Sequence, residues 1–293
     1  MKTPKRAEQI IAEALAIESQ EAQEAGTLGF MARALAQATM PHRATAGAFF
    51  ERTNGAFTLT MLAPPKIGLP YGSLPRLLIA WITTQAVRTH QRELILGETL
   101  SDFMSQLGLV PTGGRWGSIT RLRKQSQRLF ASTVSCIYRE QGGSGVGEVG
   151  FRVADKHMLW WDPKAPEEAA LWQSSVTLSH AFYTEIVNSP IPIDIRALRI
   201  LKRSPLALDI YCWLTYRLSY LRRQTEISWG ALAAQFGSDY KRLRDFKEAF
   251  IDELGGVMAV YQEADVRQGE LGLILRPSRT HVRKAAPSTG ICE

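Results

Sequence analysis

The chain has 293 residues, 45% of them apolar, with 35 Lys and Arg against 28 Asp and Glu, a formal charge of +7 and a pI near 9.4. That length has room for about two domains of ordinary size, the apolar share excludes global disorder, and the basic balance favours a polyanionic partner. The longest apolar stretch, around Leu77–Val87, is broken by Thr83, Thr84 and Gln85 and is about half as long as a bilayer span requires, so no membrane contact is expected.

The first residues, MKTPKRAEQIIAEALAIE, mix charges and lack the apolar core of a signal peptide. Ile10, Ile11, Leu15 and Ile17 suit an amphipathic helix over residues 1–25, and a second helical segment is expected over Leu28–Thr39. Residues 40–70 carry Pro41, Pro64, Pro65 and Pro70 and read as irregular, with a short strand at Phe57–Leu62. From Leu74 to His90 a strongly apolar helix runs through Leu77, Leu78, Trp81, Ile82 and Val87, followed by a short strand at Glu93–Leu96.

A short helix with clear ends comes next. Thr99 can cap it, Asp102 can complete a capping box, and Leu100, Phe103, Met104 and Leu107 form its apolar stripe before Gly108. After a turn rich in Gly and Pro, the stretch Thr112–Phe130 carries Arg115, Arg121, Arg123, Lys124 and Arg128 and no acid. From Ser118 its apolar residues Ile119, Leu122, Leu129 and Phe130 fall at helical spacing, with Arg121, Lys124, Gln125 and Arg128 away from them. A short helix, a turn and a longer basic helix make the helix-turn-helix order, whose second helix enters the DNA major groove. Two strands, Thr133–Arg139 and Val149–Val153, then read as the wing of a winged helix, with the Gly-rich turn Gln141–Gly147 as its tip. Residues 156–173, with three Trp, read as a linker.

The same order recurs downstream. Leu206–Leu221 is a long apolar helix and Glu226–Ser228 a short strand. Ser228 can cap a helix through Trp229, Leu232, Ala233 and Phe236, closed by Gly237 at an offset of 129 from Gly108. Lys241-Arg242-Leu243-Arg244 echoes Thr120-Arg121-Leu122-Arg123 at an offset of 121, and strands are expected at Val257–Tyr261 and Leu271–Leu275. The fold class is therefore α+β, mainly helical. It comprises a helical N-terminal extension over residues 1–60 and two tandem winged-helix domains, over 61–160 and 174–284.

The copies differ in charge. The second basic helix is diluted by Asp245, Glu248 and Asp252, while Arg196, Arg199, Lys202, Arg203, Arg222, Arg223, Arg276, Arg279, Arg283 and Lys284 surround it. The candidate DNA-binding residues are Arg115, Trp116, Ser118, Thr120, Arg121, Lys124, Gln125, Arg128, Lys241, Arg242 and Arg244. Base readout is expected mainly from the first helix and phosphate contact from the second domain. Trp116 is equally compatible with wedging the turn and with touching DNA.

Nothing calls for catalysis. Gly145-x-Gly147-x-x-Gly150 has the spacing of a dinucleotide fingerprint but reads as part of a strand rather than the start of a helix. No P-loop, H-E-x-x-H or H-x-H is present, and His42, His90, His157, His180 and His281 are scattered. With Cys136, Cys212 and Cys292 far apart and no C-x-x-C, the thiols fit a reducing cytoplasm without a zinc site. No cofactor, metal or enzymatic activity is expected.

Leu69-Pro70-Tyr71-Gly72, Leu100-Ser101-Asp102-Phe103, Leu107-Gly108 and Thr112-Gly113-Gly114-Arg115-Trp116-Gly117-Ser118-Ile119-Thr120-Arg121-Leu122 resemble the plasmid-encoded RepA replication initiators of Gram-negative bacteria, of the broad-host-range type. The resemblance extends into Asp194–Tyr220 and covers roughly residues 60–275. It implies a bacterial cytoplasmic protein that binds repeated double-stranded sites (iterons) at a plasmid origin and helps open the adjacent duplex. It also implies recruitment of a host initiator and helicase, and self-repression as a homodimer. The alternatives are a winged-helix transcriptional repressor without initiator activity or a nucleic-acid enzyme, a primase or nickase.

Overall fold

A computed structural model of the chain describes residues 22, 24–139, 146–159, 166, 174–237 and 240–282. The amphipathic helix expected at the N-terminus lies almost wholly outside the described residues, as do residues 141–145 of the Gly-rich turn and the end of the basic tail.

Strand β1 (Leu28–Ala32) leads into a short helix α1 (Arg33–Gln37), and β2 (Phe49–Asn54) forms a hairpin with β3 (Phe57–Leu62). The helix expected over Leu28–Thr39 is thus half strand. Its first five residues pair antiparallel with β9 (Pro190–Asp194), a long-range partner that overrides the local Ala/Leu preference for helix. Strand β2 falls in the stretch read as irregular. Its signal was Gly55, which at φ +57 opens the two-residue turn Gly55-Ala56 between the paired Asn54 and Phe57.

Helix α2 (Ser73–Thr89) is buried along most of its length. After it come β4 (Glu93–Ile95), α3 (Leu100–Gln106) and α4 (Ser118–Ala131), close to the expected limits. The Thr99 hydroxyl accepts from the Asp102 backbone N–H at 3.0 Å, one half of the capping box, while the Asp102 carboxylate accepts from Gln106. Strands β5 (Thr133–Arg139) and β6 (Val146–Arg152) follow as expected but join β2 and β3 in a four-stranded sheet ordered β2-β3-β5-β6. Neither pairs with β4. That strand instead belongs to a three-stranded sheet with β7 (Ala154–Met158) and β8 (Ser175–Leu178), in the order β4-β8-β7. The start of the expected linker is therefore strand.

The chain continues through α5 (His180–Asn188), β9, α6 (Ile195–Leu201), α7 (Pro205–Tyr220), β10 (Thr225–Ser228), α8 (Trp229–Phe236), α9 (Leu243–Val260), β11 (Val266–Gln268) and β12 (Gly272–Leu275). The strand expected at Val257–Tyr261 is the last turn of α9. Phe246, Phe250, Leu254, Val257 and Val260 are all buried at helical spacing, so packing outweighs the β-preference of the valines.

The internal repeat is plain in the pairing. The series α2, β4, α3, α4, β7, β8 and α7, β10, α8, α9, β11, β12 match element for element, and their sheets, β4-β8-β7 and β10-β12-β11, place first, third and second strands side by side. In each series a tryptophan of the long helix meets a phenylalanine of the short helix edge-on: Trp81 and Phe103 at 5.0 Å, Trp213 and Phe236 at 5.5 Å. The hairpin β5–β6 is an insertion peculiar to the first series.

One buried core runs through both series. Its polar centre is Arg76 of α2 against Asp209 of α7. The guanidinium donates through Nε and Nη2 to the two carboxylate oxygens, each at 2.7 Å, and through Nη1 and Nη2 to the carbonyls of Gly72, Pro41 and Met40. All five of its N–H groups are therefore used. His42 Nε2 donates to Asp209 Oδ2 at 2.7 Å, because an ionised carboxylate can only accept. No helix among the described residues is long and apolar enough to cross a membrane.

Candidate nucleic-acid interface

The turn before α4 is a fixed loop. Ser118 donates its backbone N–H to Thr112 Oγ1 at 2.8 Å and accepts the Thr112 backbone N–H on its own hydroxyl at 2.9 Å. The Ser118 hydroxyl donates to the Val110 carbonyl at 2.7 Å, and Thr120 Oγ1 donates to the Gly114 carbonyl at 2.9 Å. Gly114 sits at φ +85, and a Cβ on Gly117 would stand 2.1 Å from the Thr112 carbonyl oxygen. Gly117→Ala is accordingly expected to lower stability by about 1–3 kcal/mol, read from the urea midpoint, because the loop would have to be rebuilt.

With its first N–H groups capped by this loop, α4 offers charge through side chains. Ile119, Leu122, Ser126, Leu129 and Phe130 are buried. Arg121, Arg123 and Lys124 face solvent, as do Arg115 and Trp116 on the loop. None of these four cations makes an ion pair with a described residue. Trp116 is 80% exposed, so it does not wedge the turn. The Arg115 guanidinium lies over its ring at 5.1 Å.

Three other candidates hold the helix in place. Ser118 is buried in the loop network, and Gln125 is buried with Oε1 accepting the Tyr71 backbone N–H at 3.0 Å. Arg128 is half-buried, stacked over the Tyr71 ring at 5.1 Å and donating to the Leu69 carbonyl at 3.2 Å. The segment Leu69-Pro70-Tyr71-Gly72 is thus the seat of α4. Thr120, half-exposed in the first turn of α4, ties the helix to the loop through its bond to the Gly114 carbonyl. The outward set is Arg115, Trp116, Arg121 and Lys124, to which the structure adds Arg123.

In the second series Lys241 and Arg242 precede the helix rather than riding on it. Lys241, Arg242 and Arg244 are exposed, but Arg242 grips Asp245 at 2.8 and 2.9 Å, and Arg244 is 4.0 Å from the same carboxylate. The buried stripes of the two helices match at a constant offset of 124 residues (Leu122 to Phe246, Ser126 to Phe250, Phe130 to Leu254), not 121. Leu243, exposed at the start of α9, does not belong to the stripe. In this register Asp245, Glu248 and Asp252 stand where Arg121, Lys124 and Arg128 stand in α4.

Much of the other positive charge serves packing. Arg196 is paired with Asp194 at 2.7 Å, and Lys202 donates to the Gly108 carbonyl. Arg199 donates to the Gln106 carbonyl at 3.4 Å and lies against Gly108, whose Cβ would meet it at 2.8 Å. Arg199 and Lys202 thereby satisfy carbonyls at the C-terminal end of α3 from the other half of the molecule. Arg276 contacts Gln224 and Asp265, Arg222 and Arg223 are exposed, and Arg283 and Lys284 lie outside the described residues.

A family model described as plasmid encoded RepA protein matches residues 69–231, more than half of the chain. The chain belongs to the plasmid-encoded RepA family. The matched region of this RepA chain spans the seat of α4, α4 itself and α7, and ends within α8. Lys241, Arg242 and Arg244 therefore lie beyond it. No curated protein sequence matches the chain. Its fold is similar to the crystal structure of SeMet derivatives of domain 2 and domain 3 of RctB, with a TM-score of 0.55 and 13% identity over 85% of this chain and 96% of that one.

Proposed function

We propose that this RepA-family chain is a plasmid replication initiator that acts in the bacterial cytoplasm. It binds iterons at the plasmid origin, promotes local duplex opening and recruits the host initiator and helicase. The observation that carries this reading is α4, whose solvent face bears Arg121, Arg123 and Lys124 without an ion-pairing partner among the described residues, beside the exposed Arg115 and Trp116.

In this reading each series is a winged-helix domain. Helices α3 and α4 form the first helix-turn-helix, α8 and α9 the second. We take β7–β8 and β11–β12 as the wings, in place of the β5–β6 hairpin, and count β8 with the first domain, a reading supported by the matching strand orders β4-β8-β7 and β10-β12-β11. The first domain reads bases through α4. The acids of α9 disfavour the groove, so the second domain contacts phosphates through Arg222, Arg223, Lys241 and Arg244. Several copies on direct repeats would bend the duplex, and A·T-rich steps yield to that at least cost. Opening in this way consumes no nucleotide and needs no catalytic residue. Self-repression as a homodimer belongs to the proposal through the resemblance alone.

Footprinting on the plasmid's own origin, with permanganate probing of unpaired thymines and a salt titration, tests it. Protection of direct repeats with reactive thymines beside them is the expected result, with affinity falling steeply as salt rises. A single protected inverted repeat without opening would instead mark a repressor, and metal-dependent nicking or primer synthesis an enzyme.

A further inference from the structure

Resting on that reading of α4, we propose that Trp116 reads the C5-methyl group of a thymine in the major groove, making it a specificity-determining residue. Trp116 stands two residues before the first residue of α4, beside the N-cap Gly117, one and two turns N-terminal to the exposed Arg121 and Lys124. The N-terminal end of a recognition helix is the part that meets base edges, so the indole is carried to the groove floor, beyond the phosphates.

Its presentation is held. The loop is pinned on both sides of the ring by the Thr112–Ser118 exchange and the Thr120–Gly114 bond, at 2.8 to 3.0 Å. Gly113 and Gly114 leave open space, with no atom within 4 Å of a Cβ built at either. A large apolar ring that is 80% exposed is thus carried on a backbone already fixed before any ligand arrives. Arg115 covers one face of the indole at 5.1 Å and leaves the other face and the edge open.

Thymine alone among the four bases offers an apolar group in the major groove. Its methyl hydrogens are weakly positive and suit the electron-rich face of an indole. The planar guanidinium of Arg115, stacked on the other face, keeps its in-plane N–H groups for a phosphate or a neighbouring guanine. A protein occupant of this surface would have to be anionic, since Thr112–Phe130 holds five basic residues and no acid. An apolar wedge belongs to minor-groove binders, whereas α4 carries its charge on the face of a major-groove helix.

The test uses the full chain and the duplex it protects in footprinting, with each thymine replaced in turn by deoxyuridine, which removes the methyl and keeps the pairing. One replacement is expected to weaken the wild type about fourfold, the effect of one buried methyl group. Trp116→Ala is expected to bind less tightly and to be indifferent to that replacement, while Trp116→Phe remains sensitive. An unchanged melting temperature for Trp116→Ala, expected for so exposed a side chain, shows that the fold is intact.

The inference is overturned if Trp116→Ala binds like the wild type, if it senses the same deoxyuridines, or if no replacement affects the wild type on a duplex that it protects. In those cases α4 still binds DNA. If the wild type protects no duplex at all, the reading of α4 fails first and takes this inference with it.

Discussion

Replacing Arg76 with methionine is expected to cost about 3–5 kcal/mol of unfolding free energy, because it leaves the Asp209 carboxylate buried without its cationic partner. Arg76 and Asp209 are 2% and 6% exposed, so solvent cannot make up the loss. Arg76→Lys is expected to recover little, since an ammonium has three donors and no fork, whereas the guanidinium fills five positions. The double variant Arg76→Met/Asp209→Leu is expected to regain much of the stability, as apolar replacements of buried ion pairs often do. Urea unfolding of the three proteins decides it, and a single-variant cost below about 1 kcal/mol would contradict this account of the core.

The same cluster sets a direction with pH. Burial lowers the His42 pKa from its ordinary 6.5, and the hydrogen bond to Asp209 offsets this only in part. The unfolded chain therefore binds the proton more readily, and stability declines as pH falls below about 6.5. For Asp209, burial pushes the carboxyl up, but the Arg76 charge and the hydrogen bonds from His42 and Arg76 prevail, and it titrates below 3.8. Its contribution is present above that value and is lost as pH falls further. Both groups act in the same sense, so acid weakens the junction in two stages.

The second large effect is expected at α4. Reversing charge at Arg121 and Lys124 together, to Glu, should lower affinity for the protected duplex by at least about 30-fold, given about 1–3 kcal/mol for each specific contact. It should also relax sequence preference at the contacted positions, as expected when base contacts rather than phosphate contacts are lost. Neither residue touches the core, so the urea midpoint should stay put. The same reversal at Lys241 and Arg244 is expected to cost far less. An equal loss at both pairs, seen in filter binding over a salt series, would mean that the two domains share the binding.

Local signals led to the right short helix in each series and to α4. Thr99 and Ser228 each cap the helix read from them, and Ser118 begins α4. What local signals could not carry was partnership. Nothing near Thr133 tells that β5 will lie beside Phe57–Leu62, or that Glu93–Ile95 must wait for Ser175–Leu178 to find its neighbour. The site shows the same limit. An outward position on a helical wheel does not tell whether another segment covers it, and Leu69–Gly72 covers Gln125 and half of Arg128. The pairing of Arg76 with Asp209 joins residues 133 apart in the chain and had no local signature.

The insertion of β5–β6 also fixes where this chain can be cut. Residues 69–231 begin after β2 and β3 and stop before α9, β11 and β12. A fragment with those ends would present β5 as a bare edge along Thr133–Tyr138, its row of N–H and C=O groups open to any other strand. It would also end three residues into α8, without Phe236 and without the α9 residue Phe250 that packs against it. The part of the chain that carries the family's signature is therefore not a part that can stand alone. The hairpin Phe49–Leu62, outside the family match, covers that edge of β5 through β3.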